Sequence, residues 1–346
     1  MKIYLIDPTK KWVKANLHCH TTNSDGHFSP IEVKKLYKEH GYQVVAFSDH
    51  EVLFDSSYLT DDNFVAITSS EYSLNDDQKP ANFAYTSQEG SVSWRDRKVF
   101  HLNLFAKNPH NCFHIATNYE RLEQKAINLY KPNIIQCDGY NRKATPEGVQ
   151  ETINRANKAG FLVQLNHPNW SLNTREDYIN LKGLWGLEIL NYGTELETGA
   201  EYSINIYDDM IRNGHRLIPT MGDDNHNRNG LLDDSFGAFN YIGVDNLTYD
   251  EVLKAMEDGN IYSSTGPIIH SLYIDTEEGK IWVECTNATD IIFVGLNRTF
   301  RNHHGDNLTR ADFKIFGGEV YFRITVKDKC GKVAHTRVFY LNEYGY

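Results

Sequence analysis

The chain has 346 residues, 40% of them apolar and 23% charged, which is ordinary for a globular protein with one large core or a large domain beside a small one. A net charge of −11 argues against a general nucleic-acid-binding surface, although bound cations can reverse the field locally. No apolar run approaches the roughly 20 residues needed to span a bilayer, and residues 1–8 lack the pattern of a signal peptide. Five scattered cysteines do not form a disulfide framework, so a reducing cytoplasm is the expected compartment.

The first chemical signal is His18-Cys19-His20-Thr21-Thr22-Asn23-Ser24-Asp25-Gly26. Residues i and i+2 of a strand share a face, so His18 and His20 project together while Cys19 points away. Asp25 follows where the chain turns. Imidazole plus carboxylate suits zinc, manganese or iron. Half-exposed strands also carry such histidine pairs with no metal, so the pair needs company.

One unit then repeats. Ser29-Pro30-Ile31-Glu32 reads as a capped helix start, Gly41 as its end, and Val44–Phe47 as a buried strand with Asp49 and His50 at its carboxyl end. The strand Phe64–Thr68 leads to Glu71, and a strand around Val99-Phe100 carries His101. Between them, residues 72–98 read as a polar insertion over the site mouth. Thr145-Pro146-Glu147 opens a second helix, Gly160 closes it, and the strand Phe161–Leu165 runs to His167. A third helix passes through Tyr207, Met210 and Ile211, and is followed by a strand at Arg216–Ile218 and then Gly222-Asp223-Asp224-Asn225-His226. Alternating helices and buried strands predict βα units whose site gathers at the carboxyl ends of the strands.

Nine metal-type side chains are thus expected at one end of successive strands: His18, His20, Asp25, His50, Glu71, His101, His167, Asp224 and His226. Nine exceed the capacity of one tetrahedral ion and predict two to three divalent ions, of zinc, manganese or iron. Asp224 is preferred to Asp223 because the Asp-x-His spacing would set it on the strand face of His226. His27, His40, His303 and His304 read as structural, the last two in a polar loop.

Thr248-Tyr249-Asp250-Glu251 caps a final helix that Gly259 stops. Beyond Gly266 the apolar period changes to 2, with strands expected at Ile281–Cys285, Ile291–Val294, Val320–Val326 and Val333–Phe339, and a turn at Asp328–Gly331. Residues 267–346 therefore read as a small β-sandwich after an α/β domain at 1–266, contributing no metal ligand.

The order HCHTTNSDG, FSDH, SEY, FHLN, NHP and GDDNH resembles the PHP family, named for polymerase and histidinol phosphatase, over about residues 12–266. The resemblance implies a distorted (β/α)7 barrel with a trinuclear metal site, the nine residues above as its ligands, and hydrolysis of phosphoesters. A metal-bridged hydroxide would attack phosphorus in line, with no protein nucleophile. Arg228, Arg142 and Lys143 are the basic residues available to a small phosphorylated substrate. Two alternatives stand: a metal-dependent amidohydrolase, against which the paired Asp224-x-His226 and Glu71 argue, and a non-catalytic metal-binding scaffold.

Overall fold

A computed structural model describes residues 1–75, 98–115, 135–136, 142–296 and 298–346. Strands β1 (Lys2–Ile6) and β2 (Lys11–Asn16) precede helix α1 (Pro30–Glu39). Ser29 caps α1 by accepting from the Glu32 backbone, and Glu32 reaches back to the Ser29 N–H, so the expected capping box is formed. Strands β3 (Val44–Phe47), β4 (Val65–Asn75) and β5 (Val99–Ala106) follow, then the two-residue strands β6 (Phe113–His114) and β7 (Ile135–Gln136). Helix α2 (Pro146–Lys158), capped by Thr145, leads into β8 (Phe161–Leu165). The short α3 (Arg175–Tyr178) precedes β9 (Gly186–Asn191), and α4 (Tyr192–Thr198) and α5 (Ile204–Arg212) precede β10 (Ile218–Gly222).

Seven strands follow one another by hydrogen bonding in the order β2, β3, β4, β5, β8, β9, β10. The two ends of this series meet just beyond their strands: Cys19 bridges Asn225 in parallel, Asp224 N–H donates to the His18 carbonyl at 3.0 Å, and His20 N–H donates to the Asn225 carbonyl at 3.2 Å. Strand β5 alone runs antiparallel to both of its neighbours in this series. The residues past the carboxyl ends of β2, β3, β8 and β10 therefore share one end with the amino end of β5.

The remaining elements are β11 (Phe239–Val244), α6 (Tyr249–Asp258), β12 (Ile261–Ser264), β13 (Ile269–Asp275), β14 (Lys280–Gly295), β15 (Phe300–Lys314), β16 (Tyr321–Lys327), β17 (Val333–Thr336) and β18 (Phe339–Tyr340). From β12 onward the described residues hold strands and one 3-10 turn, around a core that includes Ile269, Leu272, Phe293 and Phe322. The path is continuous: β1 pairs with β13, and β12 pairs with β17, so Lys2–Ile6 joins the C-terminal strands. No helix among the described residues is long and apolar enough to cross a membrane.

Several expected elements are displaced. The strand expected at Arg216–Ile218 lies instead at Ile218–Gly222 and contains Pro219, which β10 tolerates because β9 is its one partner strand among the described residues. Ile281–Cys285 and Ile291–Val294 belong to one strand, β14, whose register against β15 shifts between Glu284 and Asp290. His303 and His304 lie in β15 rather than a loop. Among the described residues that strand pairs only with β14, and it exposes most of its residues, so it carries little apolar alternation to read. Of the insertion expected at 72–98, residues 76–97 lie outside the described residues.

Candidate metal centre

Strand β2 ends at Asn16, so His18 and His20 sit just past it rather than within it. They still converge, with ring centroids 5.3 Å apart, while Cys19 packs in the core with Val33 and Tyr37. The nine expected side chains come together. Glu71 is central: its Oε1 lies 3.0 Å from His101 Nδ1 and 3.1 Å from His167 Nε2, and its Oε2 lies 3.1 Å from His50 Nδ1. Asp224 Oδ1 is 2.8 Å from His20 Nε2 and 3.2 Å from His18 Nε2. Asp25 Oδ2 is 3.2 Å from His226 Nε2. His101 reaches the group from the amino end of β5, not from a carboxyl end, because that strand is reversed.

Three sets can each hold an ion, with donor atoms inside 4.8 Å: His18, His20, Glu71 and Asp224; Glu71, His101 and His167; and His20, Asp25, His50 and His226. A fourth, His18, His167 and Glu188, brings in a residue the sequence reading missed. Glu188 had a signal: it is the one charged residue in the wholly buried strand Gly186–Asn191.

Burial makes these groups costly unless partnered. Among the described residues, six buried atoms of the cluster lack a hydrogen-bond partner: His18 Nε2, His20 Nδ1 and Nε2, His50 Nδ1, Glu71 Oε2 and Asp224 Oδ1. Imidazole nitrogens and carboxylate oxygens converging on one another fit a divalent ion, which would satisfy both once the imidazoles give up their protons. Without a metal, His20 and His167 pair with the carboxylates as ions. Burial pulls His20 and His167 down, but Asp224 and Glu71 outweigh it, raising His20 to about 10 and His167 to about 8. Burial dominates at His50 and lowers it to about 4. Burial raises Glu71, Asp224 and Asp25, yet the surrounding imidazoles hold all three well below the usual carboxylate range.

The backbone is bent to make this arrangement. His167 has φ of 22° and Asp224 has φ of 52°, both in the left-handed region. Such residues cost about 1–3 kcal/mol and persist where their surroundings fix them. Asp224 therefore reaches the cluster by a local turn and not through a shared strand face with His226. Asp49 fixes the loop that carries Asp25, accepting from the backbone and hydroxyls of Thr21 and Ser24.

The cluster opens into a cleft of about 550 Å³ walled by Trp170, Leu196, Glu197, Arg228, Leu231 and Asp233. Arg228 is the expected basic residue found there. Arg142 lies elsewhere: it is buried, and its guanidinium forks onto Glu51 at 2.9 and 2.7 Å. Lys143 is exposed and does not line the cleft. His303 and His304 bond Asp312 and Asp290 of their own region.

No family model matches the chain, and no curated protein does. Among solved structures, a two-domain protein from Bacteroides vulgatus, described as containing a predicted PHP-like metal-dependent phosphoesterase, aligns over 96% of each chain at 14% identity and a TM-score of 0.45. A protein of Bifidobacterium adolescentis described as a candidate metal-dependent phosphoesterase aligns over 61% of this chain and 87% of its own, at 16% identity and a TM-score of 0.40. An amidohydrolase from Chromobacterium violaceum, with bound sulfate and no metal, aligns over 71% of this chain and 96% of its own, at 12% identity and a TM-score of 0.42. Likeness of this degree says nothing about activity.

Proposed function

We propose that the chain is a metal-dependent hydrolase of a small phosphoester, with two or three divalent ions of zinc, manganese or iron held by the nine converging side chains. One observation carries the reading. Residues from six separate segments bring their donor atoms together, and six buried atoms among them have no hydrogen-bond partner among the described residues. The motif order that resembles the PHP family supports it, and we read the seven-strand series as that family's distorted barrel, with residues 267–346 as an appended β domain.

Bound ions would lower the pKa of water toward neutrality and offset charge growing on phosphoryl oxygens. The chain's own residues do the rest. Glu71 offers its two oxygens to different sets of histidines, so it couples the sets in one centre. Arg228, on the cleft wall, is placed to meet a phosphate oxygen outside the cluster. Trp170, on the cleft wall, packs edge-on against His167 and tilted against His101, its ring centroid 5.0 and 5.6 Å from theirs. A cleft of about 550 Å³ suits a small molecule, and the acidic balance disfavours a long polyanion.

The test is a panel of aryl, sugar and nucleoside phosphates run beside amides and lactones, on protein loaded in turn with manganese, zinc and iron. Turnover of phosphoesters alone supports the reading. Faster turnover of amides or lactones would replace it with the amidohydrolase alternative, and metal binding without turnover of either class would leave a scaffold.

A further inference from the structure

Glu188 is buried, yet both of its oxygens are taken. Oε1 lies 2.9 Å from His18 Nδ1. Oε2 accepts the His167 backbone N–H at 3.1 Å and Asn191 Nδ2 at 3.0 Å. Asn191 Nδ2 also donates to Asp224 Oδ2 at 3.0 Å. Residues three apart on a regular strand face opposite sides, but β9 carries a bulge. Its register against β10 passes from Glu188–Thr220 to Leu190–Met221, skipping Ile189. The extra residue turns Glu188 and Asn191 to the same side.

The neighbouring strand is shaped to the contact. A Cβ on Gly222 would come within 2.7 Å of both Glu188 Oε1 and His18 Cβ. A side chain there would separate the pair.

Resting on the reading of this centre as a metal site, we infer that Glu188 is a positioning residue and not a ligand. It fixes the His18 ring through Nδ1, so that Nε2 faces Glu71 and Asp224. It also pins the turn that presents His167. A carboxylate on the far nitrogen of a ligating histidine sets the ring's tautomer and direction.

Glu188→Gln tests this. One amide oxygen can serve the His18 side or the His167 and Asn191 side, but not both. Zinc affinity, read by competition with a chromophoric chelator, should fall roughly 10–100-fold while the number of ions bound at saturation stays unchanged. The visible spectrum of the cobalt(II)-loaded protein should shift. Gly222→Ala, which alters no donor atom, should do the same, and it carries the test if Glu188→Gln does not fold. Loss of a whole ion at saturating zinc would make Glu188 a ligand and overturn the inference. Unchanged affinity and spectrum in both variants would overturn it too. A parent protein that binds no zinc, manganese or iron would instead overturn the reading of the centre itself.

Discussion

Asp223 and Asp224 are adjacent in the chain at one end of the sheet, yet they bond different partners. Asp223 accepts the backbone N–H groups of Phe236, Gly237 and Ala238 at 2.9–3.0 Å and the Tyr37 hydroxyl at 2.8 Å. Asp224, one residue on and at φ of 52°, turns back among the histidines. Asp223 is thus a brace for the chain entering β11, and Asp224 is part of the candidate centre.

The two substitutions to asparagine should therefore fail differently. Asp224→Asn removes a charged donor and keeps the shape. Metal affinity should fall by at least ~10–100-fold with the fold intact. Asp223→Asn replaces one acceptor oxygen with a donor facing buried N–H groups, and should lower stability by about 1–3 kcal/mol. Elemental analysis and urea unfolding separate the two. Metal loss confined to Asp223→Asn would reverse their roles.

A second expectation concerns protons. Imidazole binds a metal only when neutral. Without metal, His20 is raised to about 10 and His167 to about 8, so both hold protons at pH 7, whereas His50, lowered to about 4, does not. Metal must displace those protons. Affinity should rise with pH through neutrality and on toward 10, and weaken as pH falls. Calorimetric titration in two buffers of different ionisation enthalpy should show release of at least one proton per chain. Identical heats in both buffers would contradict the assignment.

Much of this was legible in the sequence where local chemistry acts alone. Ser29, Pro30 and Glu32 specify the start of α1 whatever surrounds them, and all nine expected side chains do meet. What escaped depends on distant partners. His101 looks like a residue near a strand end, but which end faces the cluster is set by the reversal of β5 between β4 and β8. Arg142 looks like a free cation until the fold brings Glu51 to it. Asn191 is unremarkable at its position until the bulge in β9 turns it inward. Edge strand β15 carries mostly exposed residues, so its pattern resembles a loop.

The Glu51–Arg142 pair yields a third expectation. Both side chains are nearly covered, at 11% and 2% exposed, and Glu51 adjoins His50 at φ of 60° while also accepting the Ser73 N–H. Arg142→Met leaves that carboxylate buried without its counter-charge. Breaking a buried pair from one side costs about 3–5 kcal/mol. Urea unfolding of the metal-free protein should show a loss of that order, and His50 should hold metal less well. A loss below about 1 kcal/mol would mean that water reaches Glu51 and the pair is not sealed.

Metal removal tests the centre as a whole. In the metal-free protein, the charges of Glu71 and Asp224 face imidazoles, and Glu71 Oε2 and Asp224 Oδ1 have no hydrogen-bond partner among the described residues. An ion that binds the folded chain and not the unfolded one stabilises by about 2.7 kcal/mol at a free concentration of 100 times its Kd. Chelation should therefore lower the melting temperature by several degrees for each ion held this tightly, and manganese or zinc should restore it. Asp224→Asn should shrink that difference. His303→Ala and His304→Ala should leave it unchanged, because those rings bond Asp312 and Asp290 within the C-terminal strands. An unchanged melting curve after chelation, in protein shown by elemental analysis to have lost its metal, would mean that protonated imidazoles alone balance Glu71 and Asp224.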